Sequence, residues 1–329
     1  ALGRIVLVDV PSMRIVSARS SSVIVYLYTI YTLPVPDIAR HYNVSYHTYA
    51  DDTQLYVTFD PKQHNGLNTA LETLSDCLTD ISMWMGRNKL KLNEEKTEFL
   101  VICSKHNLGN INDVNLTFGT TQIAPSTLVK NLGVIFDCNM SMSNQIDQLC
   151  KSVRFQLKNV SQIRKYVSED ACHVIRSHVL SRLDYCNGLL TEVPQTYIRR
   201  LQSLQNWAVH IIFRLDRRHD VMPLLTSLHW LPIKQRIVFK ILLFVYKFFH
   251  DQAPEYFSDC LELYRPVRTN LRSNADPFRL TFHVARSKAG DRTFTVAAAK
   301  EWNKLPSSIK AAPSVNVFKK LLKTYLFPT

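Results

Sequence analysis

Between residues 44 and 59, apolar and polar positions alternate with period two on both sides of Ala50-Asp51-Asp52. Val44, Tyr46 and Thr48 share one face before that break, and Leu55, Val57 and Phe59 share one after it. This alternation predicts a β-hairpin. From residue 67 the period lengthens. Leu67, Leu71, Leu74, Leu78, Ile81 and Met85 recur at steps of three and four, which predicts a helix over 67–87 with its apolar stripe packed on a sheet. "KLKLNEEKTEFLVI" (89–102) then reads as a turn into a strand, and "LVKNLGVIFD" (128–137) as another strand with Gly133 inside it. Strands, one long helix and strands again make an α+β layer.

From about residue 141 the pattern is helical and basic. Ile146, Leu149, Val153, Leu157, Val160 and Ile163 form one apolar stripe, with Lys151, Arg154, Lys158, Arg164 and Lys165 mostly off it. Ser168 followed by Glu169 and Asp170 reads as a helix start, because the serine caps and the acids suit the positive end of the dipole. Pro194 opens a further helix to about Arg214, with Ile198, Leu201, Leu204, Ala208 and Ile211 inward and Arg199-Arg200 alongside. Another helix follows Pro232, and a last short one is expected near 315–326. Residues 1–22 read as irregular apart from the strand-like run "RIVLVDV".

Charge changes the picture. Residues 1–150 carry 11 basic and 14 acidic side chains, whereas residues 151–329 carry 29 and 13. A surplus confined to one half points to a polyanionic partner, nucleic acid or an anionic membrane surface, or else to a solvated face kept for solubility. Seven cysteines without a Cys-x-x-Cys pair argue against a zinc knuckle and a disulfide framework, and for a reducing compartment. No segment is long enough to span a membrane: "VIVYLYTIYTLP" (23–34) is apolar for only 12 residues, and "IVFKILLFVYKFFH" (237–250) holds two lysines. Without a charged and apolar leader at its start, the chain reads as a fragment rather than a secreted precursor.

Asp51 and Asp52 repel each other at the predicted turn, since neighbouring carboxylates raise one another's pKa. A hard divalent cation relieves that repulsion, and two such ions can drive phosphoryl transfer. An ordinary Asp-rich turn is the plain alternative.

"YADDTQLY" resembles the catalytic hairpin of reverse transcriptases from LINE-type, jockey-like non-LTR retrotransposons. The resemblance continues in order through "WMGRNKLKLNEEKTEFLVI" (84–102), "LVKNLGVIFD", "SRLDYCNGLL" (181–190), "RRLQSLQNWA" (199–208), "LHWLPIKQRIVFK" (228–240) and "EWNKLPSSIK" (301–310). It implies an RNA-directed DNA polymerase that extends a DNA primer on an RNA template from deoxynucleoside triphosphates, with two Mg²⁺ ions, inside the cell in nucleus or cytoplasm and away from membranes. The implied fold is α+β: an incomplete polymerase palm over 23–140, a helical basic thumb over 141–225 and a mostly helical C-terminal region over 226–329, preceded by an unrelated or degenerate segment, 1–22. Asp51 would be the direct metal ligand and Asp52 a second, weaker one. Lys96 would stand near the pyrophosphate and protonate it. Residues 128–137 would be the primer-grip hairpin, with Leu132 and Gly133 holding the primer strand. Lys151, Arg154, Lys158, Arg164, Lys165, Arg199 and Arg200 would track nucleic-acid phosphates.

The chain departs from that pattern upstream. The metal site calls for a further aspartate on an earlier strand, followed by a glycine-rich segment, and "SSSVIVYLYTIYTLP" (20–34) has lost the glycines. Asp9 ends an apolar run, but the phenylalanine and second aspartate expected after it are absent. Only 42 residues separate it from Asp51, which reads as too few for a helix and loops between. The fingers are absent as well. Two expectations follow: a polymerase fragment inactive by itself, or a catalytically dead remnant that at most binds nucleic acid. Oligomeric state is not legible.

Overall fold

Strand β1 (Gly3–Val8) lies inside a four-stranded antiparallel sheet whose order is β2-β3-β1-β4, with β2 at Ser45–Tyr49, β3 at Asp52–Phe59 and β4 at Glu98–Ile102. Its register runs from Gly3 opposite Phe59 to Leu7 opposite Leu55 on one side, and from Arg4 opposite Ile102 to Val8 opposite Glu98 on the other. The expectation that residues 1–22 stand apart from the palm is corrected for 3–8. An unbroken apolar run such as "IVLV" suits a strand flanked on both sides.

This computed structural model describes residues 3–8, 22–49, 52–63, 65–90, 92, 96–104, 114–119, 121–166, 175–216, 218–265, 276–285 and 288–327. It is α+β, mixed helix with small antiparallel sheets, in two units, Ala1–Asn144 and Gln145–Thr329. The expected helix start at Ser168 lies outside the described residues.

In the first unit, helices α1 (Ser22–Tyr31) and α2 (Pro34–His41) separate β1 from β2. Pro34 opens α2 at a position where no N–H is needed, and α2 buries Val35 and Ala39. Helix α3 (Gly66–Arg87) covers the sheet with Leu71, Leu74, Leu78, Ile81 and Met85, the stripe read from the sequence, joined by Ala70 and Cys77. These residues pack with Leu55, Phe59, Phe99 and Val101 of the sheet in one core. Gly66 is required where it stands: a Cβ would lie 2.7 Å from the Asp60 carbonyl oxygen. Burial pushes the Cys77 thiol up to about 12, so it behaves as a core apolar group.

Two further hairpins complete this unit: β5 (Leu116–Phe118) with β6 (Thr121–Ile123), and β7 (Leu128–Asn131) with β8 (Val134–Asp137). Periodicity alone reads 128–137 as one strand, and the structure forms two, the hairpin shape that the resemblance implied. Leu132 and Gly133 turn between them with φ of 44° and 81°. Paired positive φ values define the tight turn that matches strand twist, and Gly133 supplies the flexibility that Leu132 lacks. Asp137 then organises the chain beyond β8, accepting hydrogen bonds from the backbone N–H groups of Asn139, Ser141 and Met142 and from the Ser141 hydroxyl.

The second unit is helical: α4 (Ser143–Ile163, entered from the first unit), α5 (Gln195–Phe213), α6 (Ile233–Phe249), α7 (Phe294–Trp302) and α8 (Val315–Leu326). Helix α6 is the axis, with Tyr246 stacked on Phe318 of α8 at 4.1 Å and Phe249 on Trp302 of α7 at 5.2 Å. Gln145–Thr329 forms one compact unit. Ile163, expected inward, is exposed, because α4 gives way to a tighter turn at Arg164–Tyr166.

The segments that carried the resemblance are joined by polar side chains. Asp184 accepts both arms of the Arg236 guanidinium, Nε at 2.7 Å. Gln205, fully buried, donates to the Leu231 carbonyl at 2.9 Å. Ile233 N–H donates to Gln202 Oε1 at 2.9 Å. Trp302 donates to the Phe278 carbonyl, Asn303 exchanges two bonds with the Leu280 backbone, and Lys310, 1% exposed, pairs with Asp276. A buried polar group left without its partner costs about 1–3 kcal/mol. Gln205→Leu, which orphans the Leu231 carbonyl, is therefore expected to lower unfolding free energy by about 1–3 kcal/mol in urea titration.

Candidate nucleic-acid interface

The β2–β3 hairpin has the register Thr48 opposite Thr53 and Tyr49 opposite Asp52. That leaves Ala50 and Asp51 as the connecting pair, and both lie outside the described residues. Asp52 begins β3 and is half-buried, and Tyr49 is exposed. Two residues further along, Gln54 Nε2 donates to Asn131 Oδ1 at 2.8 Å. Asn131 is the last residue of β7 before the Leu132-Gly133 turn, so one side-chain bond ties the acidic hairpin to the hairpin that bears the expected primer-grip residues. Leu132 is half-buried and Gly133 exposed.

Antiparallel pairing also sends the C-terminal end of β1 to the sheet edge where β3 begins. Asp9, next in the chain after Val8, lies outside the described residues. The length argument against it is corrected: α1, α2 and β2 all fit between β1 and β3.

Lys96 stands exposed on a turn before β4 and makes no ion pair among the described residues. Among the described residues, no group of three or more His, Cys, Asp or Glu side chains converges as a metal site would require. Mg²⁺ takes several oxygen ligands. The described residues offer Asp52 alone at the hairpin, so they do not by themselves make the site, and no chemical step through the ion follows from them.

The expected phosphate-tracking residues divide into two groups in the second unit. Lys151, Arg154 and Lys158 are exposed on α4, recur at three- and four-residue steps, and form no ion pair among the described residues. Phe155, 62% exposed, sits among them. Arg199 is likewise exposed, and Lys165 lies 4.7 Å from the Tyr166 ring centroid.

Arg164 and Arg200 are already engaged. Arg164 donates from Nε to the Ile211 carbonyl at 3.0 Å and from its terminal nitrogen to the Ile212 carbonyl at 2.7 Å, satisfying acceptors at the C-terminal end of α5. Arg164 thus caps the end of α5. Arg200 donates to Asp147 at 2.6 Å, and that carboxylate holds its pKa above the ordinary value. Arg182 also reaches α4, donating to the Ser152 hydroxyl at 2.9 Å, a contact 30 residues apart that leaves no local signal in the sequence.

No helix among the described residues is long and apolar enough to cross a membrane. Compared with protein-family models, curated proteins and solved structures, the chain matches none of them.

The two groups of cations predict different mutant phenotypes. Arg164→Ala is expected to lower stability by about 1–3 kcal/mol, because it uncovers two carbonyls, and to show that loss in thermal melts. Lys158→Ala is expected to leave stability within about 0.5 kcal/mol, as for an exposed, unpaired surface residue.

Proposed function

We propose that the chain is part of an RNA-directed DNA polymerase of the LINE type it resembles, and that this stretch binds nucleic acid without extending a primer. The observation that carries the reading is the acidic hairpin at the edge of an antiparallel sheet, tied through Gln54 and Asn131 to a second tight hairpin. A sheet of that kind can hold carboxylates beside a primer end, which is what nucleotidyl transfer needs. The lysines and arginine of α4 supply the electrostatic half of the reading. Three unpaired cations on one helix face suit a phosphate backbone, and binding through them would weaken steeply as salt displaces the released counterions.

Loss of synthesis follows from the sequence at 20–34. The family pattern places glycines there so that backbone can lie against nucleotide and template, and this chain has serine, valine and isoleucine instead. The alternative, a remnant with no catalytic competence and at most a basic binding module, shares the binding half of this proposal.

A primer-extension assay on the full chain with Mg²⁺ and deoxynucleoside triphosphates tests it, with Asp51→Ala and Asp9→Ala as controls. No extension is expected, alongside salt-sensitive binding of a primer–template that Lys151→Ala/Arg154→Ala/Lys158→Ala weakens about tenfold or more. Template-dependent synthesis abolished by either aspartate substitution would overturn the inactive reading. Failure to bind any primer–template would remove the nucleic-acid reading itself.

A further inference from the structure

Helices α5 and α6 and the chain between them border a cleft of about 600 Å³ lined largely by amides and imidazoles. Gln202, Asn206 and His210 follow one another at four-residue steps, so they form one row along α5. Gln235 of α6 faces that row, and the chain beyond α5 folds back to add His219. The return is enforced by Arg214, whose φ of 53° ends the helix, and by the Leu215 N–H, which donates to the His210 carbonyl at 3.1 Å. His219 then places Nδ1 3.2 Å from the Asp216 carbonyl oxygen.

The hydrogen bonds fix which atoms remain for a ligand. Gln202 is spent: its oxygen accepts from Ile233 N–H, and its Nε2 donates to Gln205 Oε1 at 2.9 Å and to Asn206 Oδ1 at 2.8 Å. Asn206 is thereby oriented with its oxygen toward Gln202 and its Nδ2 as a donor with no partner among the described residues. The Gln235 amide likewise keeps both its donor and its acceptor. The lining is therefore directional but almost uncharged: its one carboxylate, Asp220, accepts from Met222 N–H at 3.1 Å. Such a set suits neither a bare phosphate nor a metal ion. It suits the edge of a nucleobase, which presents donors and acceptors in a plane at fixed spacing.

Guanidinium groups lie beside this neutral interior. Arg214 and Arg218 are exposed on the returning chain. An adjoining groove of about 340 Å³, sharing His210, is lined by Trp207 and Arg214. An aromatic face with cations beside it is what single-stranded nucleic acid uses for stacking and phosphate contact.

We infer that the α5–α6 cleft takes an unpaired adenine base, with Gln235 and Asn206 reading its edge and Arg218 of the returning chain meeting its phosphate. Adenine is the choice because a free amide pairs in bidentate fashion with adenine N6 and N7. The inference deepens the nucleic-acid reading and rests on it for the source of the base. The same base and phosphate could also arrive as a free mononucleotide.

The test measures fluorescence anisotropy of the full chain with labelled ten-nucleotide A, C and U homopolymers, and tryptophan quenching with adenosine monophosphate. The A homopolymer is expected to bind about tenfold or more tightly than the others. Asn206→Leu/Gln235→Leu should abolish that preference while leaving affinity for U unchanged. Asn206→Asp keeps the shape but exchanges donor for acceptor. It should lose the adenine preference, because an acceptor then faces the ring nitrogen N7, itself an acceptor.

Equal affinity for all homopolymers in the wild-type chain, or a preference that both variants retain, overturns the inference. Base-blind, salt-sensitive binding removed by the Lys151/Arg154/Lys158 alanine variant would overturn the cleft and spare the α4 reading. Mononucleotide binding that Asn206→Asp removes, without binding of any strand, would keep the cleft as a nucleotide site and overturn its nucleic-acid source. Absence of both kinds of binding overturns both readings.

Discussion

The first unit depends on one pairing: β1 between β3 and β4. Without it the acidic hairpin β2–β3 would be an isolated two-stranded ribbon, which is marginal in water. β4 would also have no strand beside it in that sheet. With β1 in place, β3 is hydrogen-bonded on both sides, and the sheet offers α3 a continuous apolar face. The precision of anything done at the hairpin turn derives from this. The position of Asp52 is set by β3, β3 is set by β1, and the Gln54–Asn131 bond carries that order to the neighbouring hairpin. Eight residues of β3 thus link the core of α3 to the edge where chemistry would occur.

A similar logic governs the second unit, with polar groups in place of strand pairing. Its helices bury ordinary apolar stripes, but what selects one arrangement is the set of directional bonds between segments remote in the chain. Asp184 with Arg236, Gln205 with Leu231, and the Trp302, Asn303 and Lys310 contacts to 276–280 each demand a single register. Satisfied buried polar groups specify structure because any alternative packing leaves them unpaired. The same lattice orients Gln202 and Asn206, so the cleft between α5 and α6 inherits its geometry from the fold's own cross-links.

Much of this was legible in the chain. Periodicity located α3, the last helix and the β2–β3 hairpin, because a core face repeats its apolar side chains at the period of its own backbone. Capping logic placed the starts after Pro194 and Pro232. The strand pairing of β1 was not legible, since a four-residue apolar run does not say which strands it pairs with. The 128–137 segment looked like one strand because only Gly133 marks the turn, and Leu132 is an unexpected residue for a positive φ. Charge counting found the basic half but could not separate solvated cations from structural ones. Arg164 and Lys158 look alike in sequence, yet one caps a helix end and the other stands free on α4. The amide-lined cleft was hidden for the opposite reason: Asn206 and Gln235 acquire meaning only when two helices and a returning loop bring them together.

Native-state hydrogen exchange on the full chain tests the pairing of β1 most directly. Pairing with β2 ends at Tyr56, so protection beyond it reports β1: if β1 lies between β3 and β4, at least one amide among Val57, Thr58 and Phe59 should be protected as strongly as the buried turns of α3. Fast exchange at all three, as expected if the strand had no partner beyond Tyr56, would contradict the account.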